Sequence, residues 1–166
     1  LIGFTGSGKT TLGRLLAART GCEFVDVDTH IEAAAAKSVA EIFATEGEAG
    51  FRRLELEALR ALAAAPPARA VIATGGGIVE SEAAAALLRA LGPVVWLRAD
   101  PDAALQRLDA AARAARPLLA GGAWRGRWAQ RQSRYAALAD HVVSTHPESV
   151  ETSLAALAGA LGWTPG

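Results

Sequence analysis

The chain has 166 residues, 51% hydrophobic and 20% charged, a size and balance that suit one globular domain and exclude a disordered chain. Lys+Arg and Asp+Glu are equal at 17 each, so no overall field favours nucleic acid or an anionic membrane surface as partner, and partners must be sought in local sites. Cys22 stands alone, which excludes an intrachain disulfide and a cysteine-held zinc, and no apolar run approaches the ~18 residues of a membrane span. A cytoplasmic location is the default expectation. The chain opens "LIGFTG" without methionine, as the end of a strand, so the native N-terminus is expected to have been trimmed.

In chain order, short apolar runs alternate with helical patterns. The predicted strands are Leu1-Ile2, Phe24-Val25, Ala70 to Ala73, Val94 to Leu97 and His141 to Val143, an alternation that builds βαβ units and a parallel sheet covered on both faces. "KTTLGRLLAARTG" predicts a helix closed by Gly21. "SVAEIFATEG" predicts one opened by a Ser38/Glu41 capping box and closed by Gly47. Pro66-Pro67 stops the following helix, "EAGFRRLELEALRALAAA". "SEAAAALLRALG" ends at Gly92, and "ADPDAALQRLDAAARAA" has Asp100 as N-cap with Pro101 at the first helical position. "LLAGGAWRGRWAQ", residues 118–130, shows no period and is expected to be a mobile excursion.

Gly3-Phe4-Thr5-Gly6-Ser7-Gly8-Lys9-Thr10 satisfies G-x-x-x-x-G-K-[ST] between a strand end and an amphipathic helix, the context that a phosphate loop requires. Glycines let successive N–H groups curl toward phosphate oxygens, the helix N-terminus adds partial positive charge, and Lys9 supplies a full one. Thr10 offers a hydroxyl to Mg²⁺, an ion that takes few protein ligands. ATP or GTP binding follows. The chain is too short for a motor or a switch GTPase, which favours a small-molecule kinase.

"FVDVDTHIE" places Asp26 and Asp28 on the same side of an extended segment, at the strand end where α/β proteins bind ligands. Two readings stand side by side: a carboxylate near Mg²⁺ with another near an acceptor hydroxyl, or simple punctuation at a helix start, for which Thr29-x-x-Glu32 is itself a capping box. "VIATGGGIV" runs a strand into Gly75-Gly76-Gly77, where the lack of side chains permits close approach of a ligand or forms a tight turn. Arg52 and Glu55 form an i,i+3 pair in which the acid can hold the guanidinium, whereas Arg53 with Glu57 reads as a solvated pair.

In order, "GFTGSGKTT", "FVDVDTHIE", "SVAEIFATEGEAGFRRLE", "ATGGGIV", "ARPLLAGG" and "RQSRY" resemble the shikimate kinase family almost from end to end. The resemblance implies a single domain over residues 1–166 with a three-layer P-loop fold like that of nucleoside monophosphate kinases. Its five-stranded parallel sheet would have the order 2-3-1-4-5 and be flanked by helices, with a lid at about 114–130 closing over ATP. It implies transfer of the γ-phosphate of ATP to the 3-hydroxyl of shikimate, with Mg²⁺ as cofactor, by a cytoplasmic monomer without nucleic-acid or membrane partners. Residue by residue, Gly6, Ser7, Gly8, Lys9, Thr10 and Thr11 would hold the ATP phosphates, and Thr10 and Asp26 the metal. Asp28 would hold the acceptor hydroxyls, Arg52 and Arg131 the substrate carboxylate, and Gly75, Gly76 and Gly77 the ring. Lys9, Asp28 and Arg116 would be catalytic, Arg116 also binding ATP. Arg107 or Arg113 would meet adenine. The run Arg131-Gln132-Ser133-Arg134-Tyr135 lacks the proline common in the family, and the segment from Arg116 to Arg131 is shorter than usual. Two other readings stay open: a ligand-sensing domain of a transcription regulator built on the same fold, and a related kinase acting on gluconate or a nucleoside monophosphate.

Overall fold

The computed structural model describes residues 1–110, 113, 119 and 124–163. Helix α1 (Lys9–Thr20) follows the phosphate loop and ends at Gly21, whose N–H returns to Ala17 O. β1 (Glu23–Asp26) passes directly into α2 (Val27–Ala35), and α3 (Val39–Ala64) carries the predicted Ser38/Glu41 capping box. Gly47 is non-helical, with φ 69°, so the first expected helix stops there and meets the second at a kink, where a positive-φ residue breaks the hydrogen-bond ladder. α3 stops one residue short of the cap at Ala65, before Pro66.

β2 (Ala70–Ala73) leads through a short 3-10 helix (Ile78–Glu80) to α4 (Glu82–Leu91), and β3 (Val95–Arg98) to α5 (Pro101–Gln106), which has the expected Asp100 cap. α5 is shorter than its sequence pattern predicts, because the chain leaves the helix at Arg107. The chain continues through α6 (Trp124–Leu138), β4 (His141–Ser144) and α7 (Val150–Ala160).

β1 pairs with β2, and β3 with β4, all in parallel. Between these pairs, Leu1 O accepts from Thr74 N at 3.2 Å, while Ile2 N donates to Val95 O and Ile2 O accepts from Leu97 N, both at 2.9 Å. Successive strand residues face opposite layers. In β3, Val95 and Leu97 pack with Leu12, Leu16, Leu154 and Leu157 of α1 and α7. Trp96 packs on the other side with Leu59, Leu88 and Tyr135 of α3, α4 and α6. Helices thus cover both faces of the strands, and the start of α2 and the loops following β2 and β3 lie at the strands' C-terminal ends.

The helix α6 corrects the expected excursion over 118–130, because the chain is helical from Trp124 onward. Trp124, Trp128, Arg131, Tyr135 and Leu138 recur at spacings of three and four, the helical period. Trp124 and Trp128 both pack on Phe4 of the phosphate loop, with ring centroids 5.9 and 5.3 Å away. Glycine at 126 and an arginine on the buried face hid that period in the sequence.

Candidate active site

The phosphate loop is shaped by its glycines and clamped by its lysine. Gly6 has φ 78°, and a Cβ there would sit 2.2 Å from Ala104 O of α5, so neither the conformation nor the space admits a side chain. Lys9 Nζ donates across the loop to Gly3 O at 2.8 Å and Phe4 O at 2.9 Å. The first turn of α1 holds no acidic residue and no side-chain cap, leaving its N–H groups to whatever anion enters. Gly6, Gly8, Lys9, Thr10, Thr11 and Arg107 line one cavity. Ser7 is buried beneath the loop. Arg107 Nη2 is held by Thr145 O at 2.6 Å, whereas Arg113 turns back to Leu105 O and Leu108 O at the end of α5. Arg116 lies outside the described residues.

A second cavity, of about 360 Å³, opens beside the first and is lined by Arg52, Arg127 and Arg131 together with Phe43, Phe51 and Trp124. Asp26, Asp28, Thr10, Gly75 and Gly76 line both. They form the ground between a phosphate-binding chamber and an arginine-lined one.

Asp26 does more than the sequence suggested. Its Oδ2 accepts from Thr10 Oγ1 at 3.0 Å, and its Oδ1 accepts from Asp28 N at 3.2 Å, making Asp26 the N-cap of α2. The expected Thr29/Glu32 capping box does not form. β1 hands over to α2 without a linker, so the last strand residue must cap the helix, and Glu32 Oε1 instead accepts from Val39 N at 2.8 Å. Asp28 lies one step into the helix. A Cβ on Gly75 would stand 3.0 Å from Asp28 Oδ1 and 2.9 Å from Glu55 Oε1, so glycine is what lets two carboxylates meet at this turn.

The arginines are held by acids. Arg52 Nη1 donates to Glu55 Oε2 at 2.8 Å, and Nη2 to Glu48 Oε1 at 3.2 Å and Glu80 Oε2 at 3.3 Å. Arg127 Nη1 meets Glu48 Oε2 at 3.0 Å. Arg131 is buried, and its Nε donates to Glu80 Oε1 at 3.0 Å. Arg52 Nε is a buried N–H with no acceptor among the described residues, and Arg131 Nη2 lies 3.0 Å from Glu80 Oε1 as an ion pair without hydrogen-bond geometry, an uncommon condition that suits an anionic ligand. Arg134, the alternative on the same helix, is exposed and donates to Glu80 O at 3.4 Å. The Arg53–Glu57 pair is solvated, as its spacing predicts. Burial pushes the Glu55 carboxyl up to about 7, against the opposing pull of Arg52 and with a further push from Asp28.

The family model described as "Shikimate kinase" matches residues 5–161. The chain belongs to the shikimate kinase family. It is 43% identical over 159 residues to the shikimate kinase of Symbiobacterium thermophilum, spanning 93% of this chain and 90% of that protein. To that of Moorella thermoacetica it is 48% identical over 147 residues, 87% and 83% of the two chains. Among solved structures, shikimate kinase from Acinetobacter baumannii in complex with shikimate superposes with TM-score 0.84 at 31% identity, covering 97% of this chain and 90% of that one. That from Aquifex aeolicus gives TM-score 0.79 at 30% identity over 97% and 93%.

Set against the family motifs read from the sequence, the structure brings the phosphate loop, Asp26, Asp28, Arg52, the three glycines and Arg131 to one place. It adds residues that the sequence did not single out. Tyr135 is wholly buried, stacks on Trp96 and donates its hydroxyl to Gly76 O. Glu48 reaches Arg52 at i,i+4 within α3 and Arg127 on α6, while Glu80 reaches Arg52 and Arg131 from a distant segment that no local spacing announces. Arg127 lines the second cavity as well.

Proposed function

We propose that this chain is an ATP-dependent phosphotransferase that moves the γ-phosphate of ATP to the 3-hydroxyl of shikimate. The observation that carries this reading is the position of Asp28, which lines the phosphate-loop chamber and the arginine-lined chamber at once. A group in that place can meet an acceptor hydroxyl beside a transferring phosphate.

Lys9, the open N-terminus of α1 and Arg116 neutralise the phosphate charge, with Arg107 on the adenine side. Arg52 and Arg131 take the substrate carboxylate, aided by their leftover N–H donors, and Gly75, Gly76 and Gly77 let the ring approach the backbone. Asp28 orients the hydroxyl and accepts its proton late, because phosphoryl transfer is loose and most of the rate comes from alignment and charge neutralisation. Thr10 and Asp26, a hydroxyl and a carboxylate 3.0 Å apart, are hard oxygen donors that fit Mg²⁺, which retains several waters. When bound, Mg²⁺ supplies further neutralisation at the β- and γ-phosphates.

The same reading takes the chain as one domain with a lid at about 114–130, acting as a cytoplasmic monomer. It treats the two strand pairs as one sheet of order 2-3-1-4-5, supported by the hydrogen bonds that Leu1 and Ile2 make to either side.

A coupled ADP-release assay with shikimate, quinate, gluconate and AMP as acceptors tests it. Turnover that depends on shikimate is expected, and its absence alongside intact ATP binding would point to a ligand sensor instead.

A further inference from the structure

Glu80 hydrogen-bonds both Arg52 and Arg131. Its Oε2 accepts from Arg52 Nη2 at 3.3 Å and its Oε1 from Arg131 Nε at 3.0 Å. The two arginines come from different helices, α3 and α6, and both line the second cavity, whereas Glu80 does not. Its place is fixed from two sides. It ends the 3-10 helix that follows the glycine turn, with its N–H on Gly77 O at 3.0 Å, and a Cβ on Gly77 would fall 1.9 Å from Arg52 Nη2. Helix α6 grips the same segment through Arg131 on the carboxylate, Arg134 on Glu80 O and Tyr135 on Gly76 O.

Two guanidinium groups facing one cavity repel, and long arginine side chains lose entropy when held in one geometry. A carboxylate that offers one oxygen to each offsets both costs and sets the angle at which their remaining donors face the cavity. We propose that Glu80 is a positioning residue of the acceptor site, joining Arg52 to Arg131 so that both are in place before an anionic substrate arrives. It touches no substrate itself. The inference rests on the reading of Arg52 and Arg131 as the carboxylate clamp.

The test compares Glu80→Ala, Glu80→Gln and Arg131→Ala with the parent chain, measuring KM for shikimate, KM for ATP, kcat and Tm. Loss of the shared carboxylate is expected to raise the KM for shikimate by about tenfold, the scale of one charge-assisted hydrogen bond, while the KM for ATP stays within about twofold. Glu80→Gln, which keeps an acceptor oxygen but no charge, is expected to recover part of the loss. An unchanged KM for shikimate in Glu80→Ala, with a raised one in Arg131→Ala, overturns the role of Glu80 alone. A rise in both KM values with a falling Tm and no recovery in Glu80→Gln overturns it too, as a general loss of structure. If Arg131→Ala also leaves the KM for shikimate unchanged, the clamp reading falls and this inference with it.

Discussion

Thr10 and Asp26 are joined at the floor of the site, the Thr10 hydroxyl donating to Asp26 Oδ2 at 3.0 Å while Asp26 Oδ1 caps α2 through Asp28 N. One carboxylate therefore ties α1 to the end of β1 and to the start of α2, which carries Asp28. Replacing Asp26 by Ala is expected to raise the Mg²⁺ concentration needed for half-maximal rate and to lower stability by about 1 kcal/mol through loss of the cap. Thr10→Ser, which keeps the hydroxyl, should preserve the Mg²⁺ response. Metal titrations of the rate together with thermal melts check both effects, and an unchanged titration for the Asp26 variant would separate it from the metal.

Asp28 lines both chambers, and the proposed mechanism gives its charge to the acceptor hydroxyl. Asp28→Asn should retain ATP binding while kcat falls by about 10²–10⁴-fold, the usual scale for a lost general base. Fluorescent-nucleotide binding alongside steady-state kinetics separates the two quantities. Near-normal turnover would remove Asp28 from the mechanism.

Two glycines of the site should respond differently to the same added methyl group. Gly6→Ala meets the Ala104 backbone carbonyl at 2.2 Å from a left-handed conformation, so the loop must move as a whole. Loss of ATP affinity and a lower Tm are expected. Gly77→Ala meets the tip of Arg52 at 1.9 Å, and a flexible side chain can yield where a backbone cannot. Its Tm should be nearly unchanged while the KM for shikimate rises by several-fold, about 1 kcal/mol of lost alignment. Equal effects on both substrates from the two variants would argue against the separation of the chambers.

Glu55 gives stability a pH dependence. Burial raises its carboxyl from 4.5 to about 7 in the folded protein, so the folded state holds this proton more tightly than the unfolded chain. Its contribution is fully present below 4.5 and is lost as pH climbs through about 7. Glu55→Gln, which cannot ionise, should lack that decline. The difference in Tm between variant and parent is expected to shift in favour of the variant between these two pH values, and parallel Tm curves would contradict the assignment.

Much of the site was legible because its chemistry is local. A phosphate loop needs its glycines, lysine and hydroxyl within eight consecutive positions, and caps such as Ser38/Glu41 and Asp100 act within one turn of their helix. The Arg52–Glu55 pair was readable for the same reason, since an i,i+3 spacing brings the two side chains together on any helix. Misreadings arose where a residue's local option lost to a tertiary one. Thr29 and Glu32 could have capped α2, but β1 delivers Asp26 to that place first, and Glu32 is taken by the start of α3. Arg131 interrupts an apolar face that is otherwise helical, so α6 looked aperiodic until its ion pair with Glu80 explained why an arginine is buried there.

The sequence by itself determined the alternation of strands and helices, the phosphate loop and the identity of the chemical groups brought to bear, because each depends on contacts within a few residues. Only the tertiary structure decided which charges share a neighbour. Arg107 was separated from Arg113 by the early end of α5, Arg131 from Arg134 by the direction each leaves one helix, and Glu80 was joined to two arginines from distant segments. Those choices depend on how α3, α5 and α6 pack around the strands' ends, and Coulomb forces acting over a few ångströms answer to that packing and not to order along the chain.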